Sequence, residues 1–329
     1  MAWRQSIQRS LLALAVLAAT VSARQAKTCP DPNVVDPAND TCNPLRYIPN
    51  LALNVLAAVL YFITAILLTW QHWRFRANYM LCLVIGTYCE AIGLVLRVVL
   101  RKNPHSTGLY IVQYLFVVLS PCAFLAGDYI LLGRLVQHLN APQYLRPLKP
   151  AAVSWTFIIS DVVTFLIQAA GGGLSISDNL KTAQAGGNIF LAGIAAQMAS
   201  FVLFSILWAM FAIRARYQDQ VLWSRTGWKP LHWALGFTCI CFLIRSVFRT
   251  IELSQGYIGY LATHERFFLG LDTLPLWLGV TTFVWFWPGR YLTPESKVKP
   301  DTEEDVSGEM GMTEMRDEQP SGQASVESK

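Results

Sequence analysis

Residues 50–70 read NLALNVLAAVLYFITAILLTW, a run without a single formal charge. An α-helix rises about 1.5 Å per residue, so about 20 such residues match the hydrocarbon core of a bilayer. The run is apolar on all sides and has no face suited to water. It predicts a transmembrane helix at 50–70. Six more apolar runs follow, predicting helices at 79–100, 109–133, 153–171, 189–212, 231–253 and 267–287. The fold class expected is an all-α integral membrane protein, a seven-transmembrane-helix bundle occupying residues 49–292.

Composition agrees. The 329 residues are 53% hydrophobic and only 14% charged, against roughly a quarter charged in average soluble domains. A water-soluble globule is excluded. The net charge of +5 does not indicate nucleic acid, because Lys and Arg lie in short clusters between apolar runs, the pattern that sets membrane topology.

The first 23 residues read as a secretory signal peptide. Arg4 and Arg9 precede a short apolar run from Leu11 to Ala19, and Val21-Ser22-Ala23 supplies small residues at the cleavage spacing. Residues 24–48 then form an outside segment holding Cys29 and Cys42, a disulfide pair in an oxidising compartment. Asn39-Asp40-Thr41 is a glycosylation sequon between them. Cys82, Cys89, Cys122, Cys239 and Cys241 sit in apolar runs without metal-ligand spacing.

With the amino terminus outside and the carboxyl terminus cytoplasmic, inner loops and the tail to Lys299 hold twelve Lys/Arg and outer segments seven. This is the positive-inside bias. Trp70, Trp73, Trp155, Trp208, Trp233, Trp285 and Trp287 all fall at cytoplasmic helix ends, as an interfacial belt. Residues 293–329 form an acidic tail expected to be disordered. It offers Ser307, Thr313 and Ser321 for phosphorylation and a surface for regulatory partners.

Inside the spans lie five acids (Glu90, Asp128, Asp161, Glu252, Asp272) and three arginines (Arg97, Arg245, Arg249). Each costs at least ~2.5–3.5 kcal/mol to insert, so such residues face a bundle interior and mark a site. Glu90 and Arg97 are seven apart, Arg245, Arg249 and Glu252 follow i, i+4, i+7, and Asp161 and Gln168 are seven apart, each set on one face. Arg249–Glu252 and Glu90–Arg97 are candidate structural ion pairs. The excess of acids points instead to protonated carboxyls or to a cation or amine accepted from outside. With Gln197, these residues would line a polar path, and Glu252 with Asp272 would hold the head-group while Arg249 orients Glu252. Ala192, Ala196 and Ser200 offer a small-residue face on the fifth helix. Pro121 and Pro275 are candidate kinks, and Gly171-Gly172-Gly173 a flexible end to the fourth helix.

No phosphate-binding loop, span lysine or nucleophile–base pair is present. His72, His138 and His232 lack metal-ligand spacing, so neither an enzyme nor a cofactor nor a metal is expected.

Residues 161–173 (DVVTFLIQAAGGG) and 244–277 (IRSVFRTIELSQGYIGYLATHERFFLGLDTLPLW) resemble motifs of the fungal lipid-translocating exporter family, the RTA-like proteins named for resistance to aminocholesterol. The resemblance covers about residues 47–292. It rests on Arg245, Arg249, Glu252, Gly256, His264, Glu265 and Asp272, on Glu90 with Gly93 and Arg97, on Gly133-Arg134, on Gly193 with Gln197, and on Pro288-Gly289-Arg290. Arg266 and Asp128 depart from the family pattern. The resemblance implies a membrane protein, at the plasma membrane first of all, that handles a membrane lipid or amphipathic small molecule. Sphingoid-base or phospholipid movement, tolerance of sterol-directed compounds and, in one branch, porphyrin traffic are associated with such proteins. The alternative is a seven-span lipid-sensing receptor or regulator of a separate flippase.

Glycosidase treatment should increase gel mobility, and Asn39→Gln should abolish that shift. Both Cys29 and Cys42 should resist thiol labelling until reduced.

Overall fold

The computed structural model describes residues 40, 43, 45–145, 149–175, 179–224, 227–256 and 259–292. The expected signal peptide, Cys29, Asn39, Cys42 and the acidic tail lie outside the described residues. Among the described residues seven helices are long and apolar enough to cross a membrane. They are α1 (Leu51–Phe75), α2 (Leu81–Leu100), α3 (Thr107–His138), α4 (Pro150–Ser175), α5 (Leu180–Gln218), α6 (Lys229–Ser254) and the composite α7 (Glu265–Tyr291).

Each helix packs antiparallel to its neighbour in sequence, and α7 returns to α1, closing a ring; α3 also reaches α5 and α6. The helices α1, α3, α5 and α7 therefore begin at one end, termed the near end, where α2, α4 and α6 finish. Helical turns at Asn78–Met80, Pro142–Leu145 and Gln220–Ser224 occupy the far end.

Several helices outrun the apolar runs that announce them, most of all α5. Hydropathy marks only the part matched to hydrocarbon, whereas a helix continues until a cap ends it. At the near end Ser106 Oγ accepts from the Leu109 N–H at 3.4 Å, Asn179 Oδ1 from Lys181 at 3.1 Å and Asn50 Oδ1 from Leu53 at 3.3 Å.

Side-chain placement is inverted relative to a soluble bundle. On α1, Ala58, Tyr61, Ala65 and Leu68 are buried, while Leu56, Val59, Ile63 and Ile66 are exposed. The interior holds Asn54, Glu90, Gln113, Asp128 and Asp272, each at most 1% exposed. Lipid outside cannot hydrate these groups, so they must satisfy one another. Of the expected tryptophan belt, Trp70, Trp73, Trp155, Trp233 and Trp285 are exposed around the far end. Trp287 is instead fully buried, and Trp208 stacks on the buried His232 at 4.9 Å between ring centroids.

Two further expectations are revised. The glycine triplet does not end α4, which stays helical to Ser175. A Cβ on Gly171 would meet the Phe190 backbone N at 2.5 Å and the Gly186 carbonyl at 2.8 Å, so the absent side chain lets α5 approach. Gly193 similarly lies on Gln168. The contact face of α5 is thus Gly186, Phe190 and Gly193, while Ala192 and Ala196 point outward. The fourth-to-fifth helix seam is set by backbone proximity.

α3 remains one helix through Pro121. In α7, Phe268–Thr273 forms a π segment directly before Leu274 and Pro275. Proline has no N–H to return to the preceding turn, and the wider turn accommodates that loss. The Tyr61 hydroxyl donates to the Thr273 carbonyl at 2.9 Å, tying this segment to α1.

Gly171→Ala should lower the thermal midpoint of the detergent-purified protein, by the equivalent of about 1–3 kcal/mol of overpacking. Gly173→Ala, with nothing within 4 Å of its Cβ, should leave the midpoint unchanged.

Candidate functional site

The charged stripe of α6 meets α7 near the near end. Arg249 donates from Nε to Asp272 Oδ1 at 2.8 Å and from Nη2 to Asp272 Oδ2 at 3.0 Å, a bidentate pair. Its Nη1 donates to Glu252 Oε2 at 3.0 Å. Arg245 Nε lies 3.0 Å from Asp272 Oδ1, yet lacks the alignment of a hydrogen bond. We read that contact as charge proximity. The π segment aims Asp272 at both arginines.

A third cation adjoins this cluster. Arg97 of α2 donates to the Tyr47 hydroxyl, and its guanidinium carbon lies 3.9 Å from the Phe268 ring centroid. Arg249 lies 5.4 Å from the same ring, so Phe268 is shared by two guanidiniums. Glu265, at the start of α7, accepts from the Asn50 N–H at 2.7 Å and from Asn54 Nδ2 at 2.6 Å. The segment before α1 is held across the near end by these contacts, by Arg101 on the Pro49 carbonyl at 2.7 Å, and by Asp40 on His105 at 2.6 Å.

The other three acids are apart from the arginines. Glu90 accepts from Ser120, Asp128 from Thr238 at 2.8 Å and Asp161 from Tyr129 at 3.0 Å. In each the second carboxyl oxygen has no partner among the described residues. Each bond crosses between two helices: α2 with α3, α3 with α6, α4 with α3. Gln168 donates to Gln197 at 2.8 Å, and Gln197 donates to the Cys122 sulfur at 3.4 Å.

Two cavities adjoin the arginine cluster. The one nearer the near end has a volume of about 70 Å³ and is walled by Tyr47, Arg97, Gln113, Arg249, Glu252 and Phe268, among others. The deeper one, about 30 Å³, carries Gln168, Gln197, Arg245 and Ser246 among apolar side chains. Tyr114 and Arg249 line both. One water needs ~10–15 Å³ on this measure, so this conformation has room for water or a small polar group but not for a lipid body. Farther in, Phe124, Tyr129, Phe201, Phe204 and Phe242 pack ring against ring.

Arg97, Arg245, Arg249 and Glu252 thus line these two adjoining cavities, with Gln168 and Gln197 on the deeper one. Asp272 lies behind Arg249 and Arg245 and, like Glu90, Asp128, Asp161 and Glu265, lines neither cavity. Arg97 pairs with Tyr47, not with Glu90. Asp272 is fully buried and enclosed by Arg249 and Arg245, whereas Glu252 reaches the cavity. Geometry therefore separates the two acids expected to share a head-group: Asp272 organises the arginines and Glu252 faces the cavity. Sequence reasoning missed Tyr47, Gln113 and Phe268. Phe268 lies within the 244–277 motif, but Tyr47 precedes the first span and carried no signal of its own.

Arg249→Ala and Asp272→Ala should each cost about 3–5 kcal/mol by leaving a buried charge unmatched, read as a lowered unfolding midpoint and reduced folded yield. A joint Arg249→Met, Asp272→Leu replacement should cost much less than the sum. Additive losses would show that the two side chains are not coupled.

The RTA1-like protein family matches residues 83–295. The chain is 32% identical over 207 residues to Protein RTA1 of Saccharomyces cerevisiae, covering 62% of this chain and 64% of that protein. It is 31% identical over 204 residues to Protoporphyrin uptake protein 1 of the same organism, covering 60% and 65%. With the Sphingoid long-chain base transporter RSB1, also from Saccharomyces cerevisiae, identity is 25% over 316 residues, covering 79% and 80%. The matches to RTA1 and to Protein RTM1 span just under two thirds of those proteins. No solved structure matches. The matched region holds six of the seven spans, including the α6–α7 charge cluster, and the chain belongs to the RTA1-like protein family.

Proposed function

We propose that the protein is a lipid-translocating membrane transporter, acting on a sphingoid base, a phospholipid or a related amphipath. The observation that carries this reading is the charged chamber at the near end, built inside an otherwise apolar bundle. Intramembrane charge is costly and is kept where a polar group must be met. A family relative named as a sphingoid long-chain base transporter supports the same direction. In this reading the near end faces outward at the plasma membrane, the arginine-rich far end faces the cytoplasm, and the protein makes or breaks no covalent bond. Such movement would contribute to lipid asymmetry and to tolerance of sterol-directed or amphipathic toxic compounds.

One observation favours a second reading. Both cavities are small, and aromatic packing fills the interior beyond them. A seven-span sensor that binds a head-group and regulates a separate flippase needs no passage past that packing. A transporter needs the aromatic layer to open.

Purified protein reconstituted in liposomes with fluorescent sphingoid base and fluorescent phospholipid separates the two. Transport predicts flux of at least one probe several-fold above protein-free liposomes. Flux equal to that background for both probes favours the regulator.

A further inference from the structure

The near-end chamber contains a buried cation with no carboxylate at contact distance. Arg97 is 3% exposed, yet no carboxylate lies within 4.0 Å of it among the described residues. Among the described residues its one hydrogen-bond acceptor is the Tyr47 hydroxyl, and its Nε has no partner. Both Glu265 oxygens accept from Asn50 and Asn54, and both Asp272 oxygens accept from Arg249. Glu265 and Asp272 act on this guanidinium only through space, so its desolvation is only partly compensated. Arg97 also keeps donors available in a planar fork that fits phosphate oxygens.

On another wall of the same chamber, Glu252 uses only Oε2, toward Arg249; its Oε1 has no hydrogen-bond partner among the described residues. The chamber therefore presents an unmatched cation and an available carboxylate oxygen together. A bare amine would satisfy Glu252 but would add positive charge beside Arg97, Arg245 and Arg249. An inorganic anion would satisfy Arg97 and leave Glu252 Oε1 without a donor. A head bearing both groups answers both walls.

Depth agrees with such a head. Arg97 lies one turn before the end of α2, and Glu252 lies two residues before the end of α6. At about 1.5 Å per residue, both sit within several ångströms of the near end, at head-group level. Tyr47, from the segment laid across that end, occupies the acceptor position at Arg97.

We propose that this chamber binds a zwitterionic phosphate–amine head-group, with Arg97 receiving the phosphate and Glu252 the amine, and with the Tyr47 hydroxyl holding the phosphate position when the site is empty. The inference rests on the reading that the chamber receives a lipid head, and it narrows the substrate from any amphipath to an aminophospholipid-type one.

The test titrates the full-length, detergent-purified protein with three soluble probes, O-phosphoethanolamine, ethanolamine and inorganic phosphate, following the unfolding midpoint. O-phosphoethanolamine should bind at least tenfold tighter than either of the others. Arg97→Gln should reduce its preference over ethanolamine to about one, and Arg97→Lys, which keeps the charge but loses the fork, should fall between. Glu252→Gln should reduce its preference over inorganic phosphate. Ethanolamine binding as well as O-phosphoethanolamine, or inorganic phosphate doing so, would overturn the proposal. The wild-type comparison decides this even where a variant fails to fold. The proteoliposome flux is read separately: absent flux with the preference retained removes transport and keeps the site, while flux without the preference does the reverse.

Discussion

The Arg249–Asp272 pair is the interaction on which the near end of the bundle depends. It spans α6 and α7 with two hydrogen bonds of 2.8 and 3.0 Å, and its aspartate is wholly inaccessible. Each partner alone would be a charge stranded in a medium unable to hydrate it, so neither is tolerable without the other. Once paired, Arg249 still has Nη1 for Glu252, and Asp272 still has negative charge for Arg245. The pair therefore orders two further ionisable side chains and sets which of them face the cavity. The π segment of α7 serves this arrangement, since Asp272 lies within it and Pro275 follows closely.

The same constraint operates in weaker form throughout the interior. Three buried acids are each met by a hydroxyl from another helix, Ser120 for Glu90, Thr238 for Asp128 and Tyr129 for Asp161. These bonds tie α2, α4 and α6 to α3, which accounts for its central place in the ring. Van der Waals contact fixes the remaining seams. Gly171 against Phe190 and Gly186, and Gly193 against Gln168, bring α4 and α5 close enough that Gln168 and Gln197 bond across the gap at 2.8 Å. Polar contact there is a consequence of small residues elsewhere on the same seam.

The chamber is thus a by-product of two different kinds of fit. Arginine–carboxylate geometry holds α6 against α7, while aromatic rings close the space around α2 and α3. Phe268 joins the two, lying 3.9 Å from Arg97 and 5.4 Å from Arg249. Charge on one side and ring surface on the other are what an amphipath needs at the boundary between its head and its chains.

Sequence alone determined the seven spans, because an apolar run of sufficient length has no alternative but to cross or be buried, and it determined their alternation and the uneven distribution of Lys and Arg. It also singled out the ionisable residues that the interior has to satisfy, since charge inside a span is costly. It placed Arg245, Arg249 and Glu252 on one stripe, because helical period fixes faces. Partners were another matter. That Arg97 meets Tyr47, fifty residues earlier, instead of Glu90 on its own helix depends on how the segment before α1 crosses the bundle. That Asp272 is closed off while Glu252 lines a cavity depends on how α7 sits against α6. That the glycine triplet packs a seam and does not end a helix depends on where α5 lies. A helical stripe states the direction in which a side chain points; only the packing of seven helices states what stands there to meet it, because that distance is set by side chains on both sides of every seam at once.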